Sequence, residues 1–196
     1  MRLELCMKRL EELESAREEL LKILREMRIH STKSIALIHS GKIEEANLEL
    51  QSAVELLEKV NGYRKYPEIY FYLCNEAMQE LVEAIAFKNA ITGEFTFDID
   101  LDVTPSAFLN GFADAVGELR RYALTKLIEG DFQTAQSMLE IMERIYEHLM
   151  EFTSFPEKLV PGLRKKLDVA RMSIERTKSD YIAARVARLN ESLGGD

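Results

Sequence analysis

The chain has 196 residues, of which 46% are hydrophobic and 31% charged, with 9 Gly, 4 Pro and no Trp. This composition is typical of a folded helical protein and excludes a disordered one. The length suits one domain with a sizeable core. The formal net charge of −8 excludes a surface that binds nucleic acid everywhere and leaves only local basic patches for that purpose.

Cysteine usage and the N-terminal sequence both indicate the cytoplasm. Cys6 and Cys74 are far apart and form no CxxC motif, so we expect two reduced thiols. The first residues, Met-Arg-Leu-Glu-Leu, lead into alternating acids and bases, which is neither a signal peptide nor a membrane span. We therefore expect a cytoplasmic protein without membrane contacts.

Apolar residues at helical spacing, bounded by glycine, proline and capping residues, predict six main helices. Their approximate ranges in chain order are 2–40, 43–60, 67–92, 105–128, 132–152 and 162–193. The last is rich in Lys and Arg and ends before Gly194-Gly195. The predicted fold is a single all-α domain over 1–196, an antiparallel bundle of six or seven helices.

Three features of the predicted fourth helix and of the segment before it bear on its structure. Residues 94–103 alternate apolar and acidic side chains, as an extended connector would. Thr104-Pro105 then reads as an N-cap followed by a proline at the first helical position. Gly111 and Gly117 lie inside the helix, where each costs up to roughly 1 kcal/mol relative to alanine. We expect close backbone approach to another helix at both.

Carboxylates stand among apolar residues on two of the predicted helices. On the third, Glu80 and Glu83 are three apart on one face, with Glu76 one turn earlier. On the fourth, Asp114 and Glu118 are four apart on one face. Burying like charges without a partner is costly, so we expect a cation between the two helices.

Four carboxylates without a histidine at ligand spacing form a hard-oxygen set, which suits Mg²⁺ or Mn²⁺ and suits zinc or copper poorly. The alternative from spacing alone is solvated helix faces or salt bridges to Arg120 or Arg121. The three histidines, His30, His39 and His148, share no metal spacing. Asp98-x-Asp100-x-Asp102 is similar to the start of a calcium loop, but the later Gly and Glu of such a loop are missing.

Two blocks of the chain resemble the translin family, and more narrowly its TRAX (translin-associated factor X) branch. The first is similar to the pattern V-T-P-x-x-Y/F-L-x-G-x-A-D-x-x-G-E-L-x-R and consists of Val103-Thr104-Pro105, Phe108-Leu109, Gly111, Ala113-Asp114, Gly117-Glu118-Leu119 and Arg121. The second is similar to the TRAX pattern Q-E-Y-V-E-A-x-x-F and consists of Gln79-Glu80, Val82-Glu83-Ala84 and Phe87. Further matches are Arg25, Ser31, Lys33, His39, Gly130-Asp131 and Thr134.

The resemblance implies an all-helical subunit of a closed, roughly octameric shell that binds RNA. TRAX-type subunits of such shells are Mg²⁺-dependent endoribonucleases, and their catalytic and metal-binding carboxylates carry over onto Glu80, Glu83, Asp114 and Glu118. The translin branch lacks these acids and is the non-catalytic partner. It has an Arg/His-rich segment where this chain has Ile69, Phe71 and Leu73. The short connector and the lack of a basic N-terminal extension, unlike eukaryotic TRAX, lead us to expect a self-sufficient homo-oligomer.

Five basic residues are the candidate RNA contacts, because Lys and Arg meet phosphates. They are Arg25, Arg28, Lys33, Lys88 and Arg121. The alternative for those on the long first helix is a solvated face or coiled-coil flank.

Two other functional classes compete with the nuclease. A non-catalytic RNA-binding shell of translin type does not account for the four acids. A ferritin-like di-iron bundle needs Glu-x-x-His motifs, and no histidine in the sequence has a Glu three residues before it.

Overall fold

The protein is described here by a computed structural model, which covers the backbone of residues 2–193 and the side chains of residues 2–190. The described chain contains six α-helices: α1 (Leu3–His39), α2 (Ile43–Asn61), α3 (Pro67–Ile91), α4 (Pro105–Ile128), α5 (Phe132–Met150) and α6 (Leu163–Leu193). Short 3-10 helices follow α2 and α5, at Gly62–Lys65 and Glu151–Ser154. Within the described range there is no strand, including 94–103. The all-α prediction is confirmed, whereas the predicted end at Gly194-Gly195 lies outside the described residues.

The predicted start and stop signals have the expected local geometry at two helix ends. After α1, Gly41 has φ +73°, a conformation that favours glycine. It lets the Lys42 amide donate to Leu37 O at 2.9 Å, which satisfies a carbonyl left over at the helix end. Before α4, Thr104 Oγ1 accepts from the Ala107 amide at 3.1 Å. The N-cap prediction for Thr104 is therefore confirmed.

The chain divides into two compact units, of which the first comprises Met1–Ile85 and Asp98–Phe108. α1 and α2 pack along each other, and the core of this unit is built from leucine, methionine and alanine side chains. Its fully buried members include Leu20, Met27, Ala53, Tyr70, Met78 and Leu81. The end of the connector is fixed to the same unit because Asp102 accepts from Arg64 at 2.6 Å and from Asn61 at 2.8 Å.

The second unit comprises Ala86–Phe97 and Leu109–Asp196. In this unit α5 packs on α6, and the buried side chains recur every three or four residues along α5, as predicted from its sequence. They are Ala135, Met138, Leu139, Met142, Ile145 and Leu149. The start of the connector joins this core because the rings of Phe95 and Phe97 lie 6.2 and 5.2 Å from that of Phe112.

The explanation expected for Gly117 is wrong. Gly117 is exposed on α4, and a Cβ built there would meet nothing within 4 Å among the described residues. Among the described residues, no neighbouring helix requires a glycine at this position. Across the same part of the chain, none of the helices combines the length and apolar character needed to cross a bilayer.

Candidate functional site

The acids of α3 lie at its partly buried surface and have an arginine beside them. The Glu80 side chain is 21% exposed; its Oε1 accepts a hydrogen bond from Arg28 Nε at 2.9 Å and lies 2.8 Å from Arg28 Nη2. The same guanidinium reaches Glu76 at 3.4 Å. These contacts, led by the Glu80 hydrogen bond, raise the pKa of Arg28. Glu83, three residues further on, is half-buried.

The acids of α4 have a lysine of α6 beside them. Lys166 Nζ donates to both oxygens of Asp114, at 2.6 and 2.5 Å. Neither side chain is more than 29% exposed. Glu118 lies one turn along α4, is 24% exposed, and has Arg121 Nη1 at 3.8 Å. Lys166 thus neutralises a carboxylate of this pair at short range.

Sequence reasoning did not single out Lys166. The residue is 52 positions away from Asp114 and stands among several basic residues of α6, so nothing in its local sequence distinguishes it. The arginines proposed as alternative partners behave differently. Arg120 donates to Thr177 and Asp180, at 2.7 and 2.9 Å, and Arg121 approaches Glu118 only at the limit of an ion pair.

The donor chemistry of both pairs fits a hard cation, because each offers two carboxylates on one helical face. Across the described side chains, no group of three or more His, Cys, Asp or Glu residues lies close enough together to hold a metal ion. In this structure the positive charge next to Glu80 comes from Arg28 of α1, and that next to Asp114 comes from Lys166 of α6.

The other predicted RNA contacts differ in their surroundings. Arg25 and Arg121 are exposed. Lys88 is 20% exposed and pairs with Glu94 at 3.0 Å. Lys33 pairs with Glu49 at 2.5 Å, and Glu49 also contacts His30 Nδ1 at 2.6 Å. Of the five residues, Arg25 and Arg121 are therefore the most open to a ligand.

The Lys33–Glu49–His30 cluster predicts a pH effect on stability. The hydrogen bond from Lys33, followed by that from His30, lowers the pKa of Glu49 from its usual value. A carboxyl group with a depressed folded pKa stabilises the fold above its unfolded pKa and loses that contribution as the pH falls through the folded pKa. At neutral pH, Glu49→Gln should lower the free energy of unfolding by up to about 1 kcal/mol.

Urea unfolding of both proteins at neutral pH and near pH 3 measures this effect, which should be smaller at the acid end. The matched control is Glu58→Gln, an exposed residue of the same helix. Equal pH dependence for the two variants would contradict the prediction.

The remaining sequence candidates have structural contacts of their own. His148 stacks on Phe97 with ring centres 4.6 Å apart, and its Nδ1 lies 2.8 Å from Arg144 O. In the Asp98, Asp100 and Asp102 series, Asp102 is held by Arg64. Cys74 is fully buried, which raises the pKa of its thiol to about 12, so this thiol stays protonated and unreactive.

Comparison with known proteins places these features in a family. Residues 90–179 match the Translin family. Over 175 residues the chain is 31% identical to "Uncharacterized protein MJ0175" of Methanocaldococcus jannaschii, covering 86% of this chain and 76% of that protein. Over 193 residues it is 23% identical to the Translin-associated protein X homolog of Schizosaccharomyces pombe, covering 86% and 80%.

A solved structure extends the comparison to almost the whole chain. The fold is similar to that of AfC3PO in its complex with duplex RNA, with a TM-score of 0.95 and 83% sequence identity. The match covers 97% of this chain and 100% of that one. Together with the translin-associated relatives, these matches confirm the resemblance seen in the two acidic blocks. The chain therefore belongs to the translin family.

Proposed function

We propose that this protein is a Mg²⁺-dependent endoribonuclease of TRAX type that binds and cleaves RNA within a homo-oligomeric, octameric shell. The observation that carries RNA binding is the 83% identity to AfC3PO, whose structure contains duplex RNA. Support for catalysis comes from the four acids of α3 and α4, which match the TRAX pattern. Glu80 and Asp114, the two acids that pair with a basic side chain, are only 21% and 26% exposed.

In this proposal the Mg²⁺ ligands would be Glu80, Glu83, Asp114 and Glu118, although no three of these acids lie close enough together in this structure to hold a metal ion. When bound, the metal supplies a Lewis acid for the phosphoryl oxygen and a water of lowered pKa. The carboxylates would orient the metal, and one that is not fully engaged with it would be placed to take a proton from a water molecule. Arg28 and Lys166 add positive charge next to Glu80 and Asp114, where the phosphodiester would carry negative charge.

The short contacts of Lys166 predict that this lysine competes with Mg²⁺ for Asp114. Breaking a partly exposed ion pair costs up to about 1 kcal/mol, so Lys166→Met should lower the Mg²⁺ concentration for half-saturation by up to about fivefold. Calorimetric titration with Mg²⁺ measures binding independently of cleavage.

The adjacent, exposed Lys165 provides the control, because Lys165→Met removes the same charge without touching Asp114. Equal shifts in both variants would show that only net charge matters. A higher Mg²⁺ requirement in Lys166→Met would contradict the competition.

A non-catalytic RNA-binding shell of translin type is the second candidate. The ion pairs of Arg28 and Lys166 favour it, because they neutralise Glu80 and Asp114 without a metal. Under this proposal the acids contribute to packing and the protein binds RNA without cutting it.

One experiment separates the two. Purified protein is incubated with single-stranded and duplex RNA, in Mg²⁺ or in chelator, and products and complexes are resolved on gels. Cleavage that requires Mg²⁺ supports the nuclease, binding without cleavage supports the second candidate, and absence of binding refutes both. Light scattering on the same sample should report an octamer, and a stable monomer of 22.5 kDa would contradict the shell.

A further inference from the structure

A cavity of about 450 Å³ lies between the start of α5 and the C-terminal half of α6. Two aromatic rings, two guanidinium groups and two amides line it, contributed by Phe132, Tyr181, Arg185, Arg188, Gln133 and Gln136. The cavity is open to solvent, because the side chains that line it are half-buried or exposed. The proposed cleavage chemistry makes no use of these residues.

The charge of the cavity is opposite to that of the chain. Among the side chains of residues 2–190, no carboxylate lines it, although the net charge is −8. The nearby Asp131 is engaged as the N-cap of α5, where its Oδ1 accepts from the Thr134 amide at 3.0 Å. Arg188 donates to Gly130 O at 3.0 Å, which uses one of its five N–H donors. The cavity therefore suits an anionic ligand.

The cavity also presents flat stacking surfaces. Arg188 Cζ lies 5.1 Å from the centre of the Phe132 ring, and Arg185 Cζ lies 5.9 Å from that of Tyr181. The two rings meet edge to face with centres 6.0 Å apart. The Tyr181 hydroxyl donates to Gln136 Oε1 at 3.1 Å, which fixes the ring. Unpaired nucleic-acid bases stack on aromatic rings and on arginine planes.

We propose that this cavity binds an unpaired nucleotide of RNA, with its base against the ring–guanidinium surfaces and its phosphate on Arg185 and Arg188. The inference rests on the proposed function, since it assigns a second contact to the same RNA. A phosphate alone would use the arginines but not the rings. The amides of Gln133 and Gln136 offer both donors and acceptors to the edge of a base.

The test compares two labelled RNA duplexes, one blunt and one with a short single-stranded overhang, by fluorescence anisotropy in chelator. The variant Arg185→Gln/Arg188→Gln should weaken binding of the overhang duplex by about tenfold or more and leave the blunt duplex within about twofold. For the overhang duplex, the slope of log affinity against log salt concentration should become shallower in this variant, by the amount expected for the loss of about one phosphate contact. Tyr181→Leu should lower the same preference without changing the salt dependence.

Arg176→Gln is the matched control. Arg176 is exposed on the same helix and does not line the cavity. It is nine residues from Arg185, about two and a half turns, and therefore on the opposite side of α6. Its substitution should leave the preference for the overhang intact.

The outcomes separate this inference from the proposed function. Wild-type protein that binds both duplexes equally, or an overhang preference that survives the double substitution, overturns the inference while RNA binding stands. A changed assembly size with an unchanged preference assigns the cavity to a contact between subunits, which overturns it as well. Wild-type protein that binds neither duplex refutes the proposed function itself.

Discussion

Asp114→Asn should lower Mg²⁺-dependent RNA cleavage by on the order of a hundredfold or more, the scale on which lost transition-state stabilisation is usually observed. The substitution keeps the size of the side chain and one hydrogen-bond acceptor for Lys166, but it removes the formal charge and most of the strength as a metal ligand. Glu83→Gln, a substitution on α3, should lower RNA cleavage by a similar factor. Single-turnover cleavage of labelled RNA measures both.

The free energy of unfolding should change by no more than about 1 kcal/mol, because weaker repulsion between neighbouring acids partly offsets the ion pair that Asp114 loses with Lys166. Thermal unfolding in chelator checks that the fold is intact. Glu76→Gln is the internal control: Glu76 lies one turn before Glu80, but its side chain is 69% exposed, so most activity should remain. Wild-type cleavage rates in the Asp114 and Glu83 variants would place the active site elsewhere and leave the acids a packing role.

The largest stability effect is expected at Phe112, a fully buried residue of α4. Phe112→Ala should lower the free energy of unfolding by about 3–5 kcal/mol, since it leaves a cavity and removes buried apolar area. Because Phe95 and Phe97 pack against the same ring, the first half of the connector should also become more accessible. Urea unfolding measures the first effect, and amide hydrogen exchange over 94–97 measures the second.

Phe71→Ala is a suitable control because the Phe71 side chain is 62% exposed, so its removal should cost less than about 1 kcal/mol. A loss at Phe112 no larger than that at Phe71 would mean that the aromatic cluster does not anchor the connector. Increased exchange that is spread over the whole chain would indicate global loosening instead.

The helices were predictable because their signals are local. Thr104, Pro105 and Gly41 mark helix ends through hydrogen bonds within a few residues, and the apolar spacing of α5 reports one buried face. The reason expected for Gly117 failed because a glycine inside a helix has several explanations. Which explanation applies depends on the atoms near its Cα in the folded protein, and those atoms can belong to residues distant in sequence.

The candidate site was predictable only in part, for the same reason. Glu80, Glu83, Asp114 and Glu118 could be selected because like charges recur on one face of a helix among apolar residues. Their partners Arg28 and Lys166 are 52 residues away from Glu80 and Asp114, respectively. Long basic side chains are common on exposed helix faces, so their pairing depends on tertiary packing. The cavity beside Tyr181 likewise combines α5 and α6 residues whose separate sequence patterns suggested only core and charged surface.

The open surroundings of Gly117 have a consequence for how evolution and engineering act on α4. Gly117→Ala should stabilise the helix by up to about 1 kcal/mol, because the new methyl group meets no described atom of the chain. Yet the residue directly precedes Glu118, a proposed catalytic acid, so a side chain there adds bulk next to that acid in sequence. Variants with alanine, valine or leucine at position 117 would then measure how closely RNA approaches the helix. Their melting temperatures show whether the folded chain accommodates the larger side chain, and their cleavage rates show whether bound RNA does. A higher melting temperature together with a cleavage rate that falls as the side chain grows would show that this glycine lowers stability but lets RNA approach the helix.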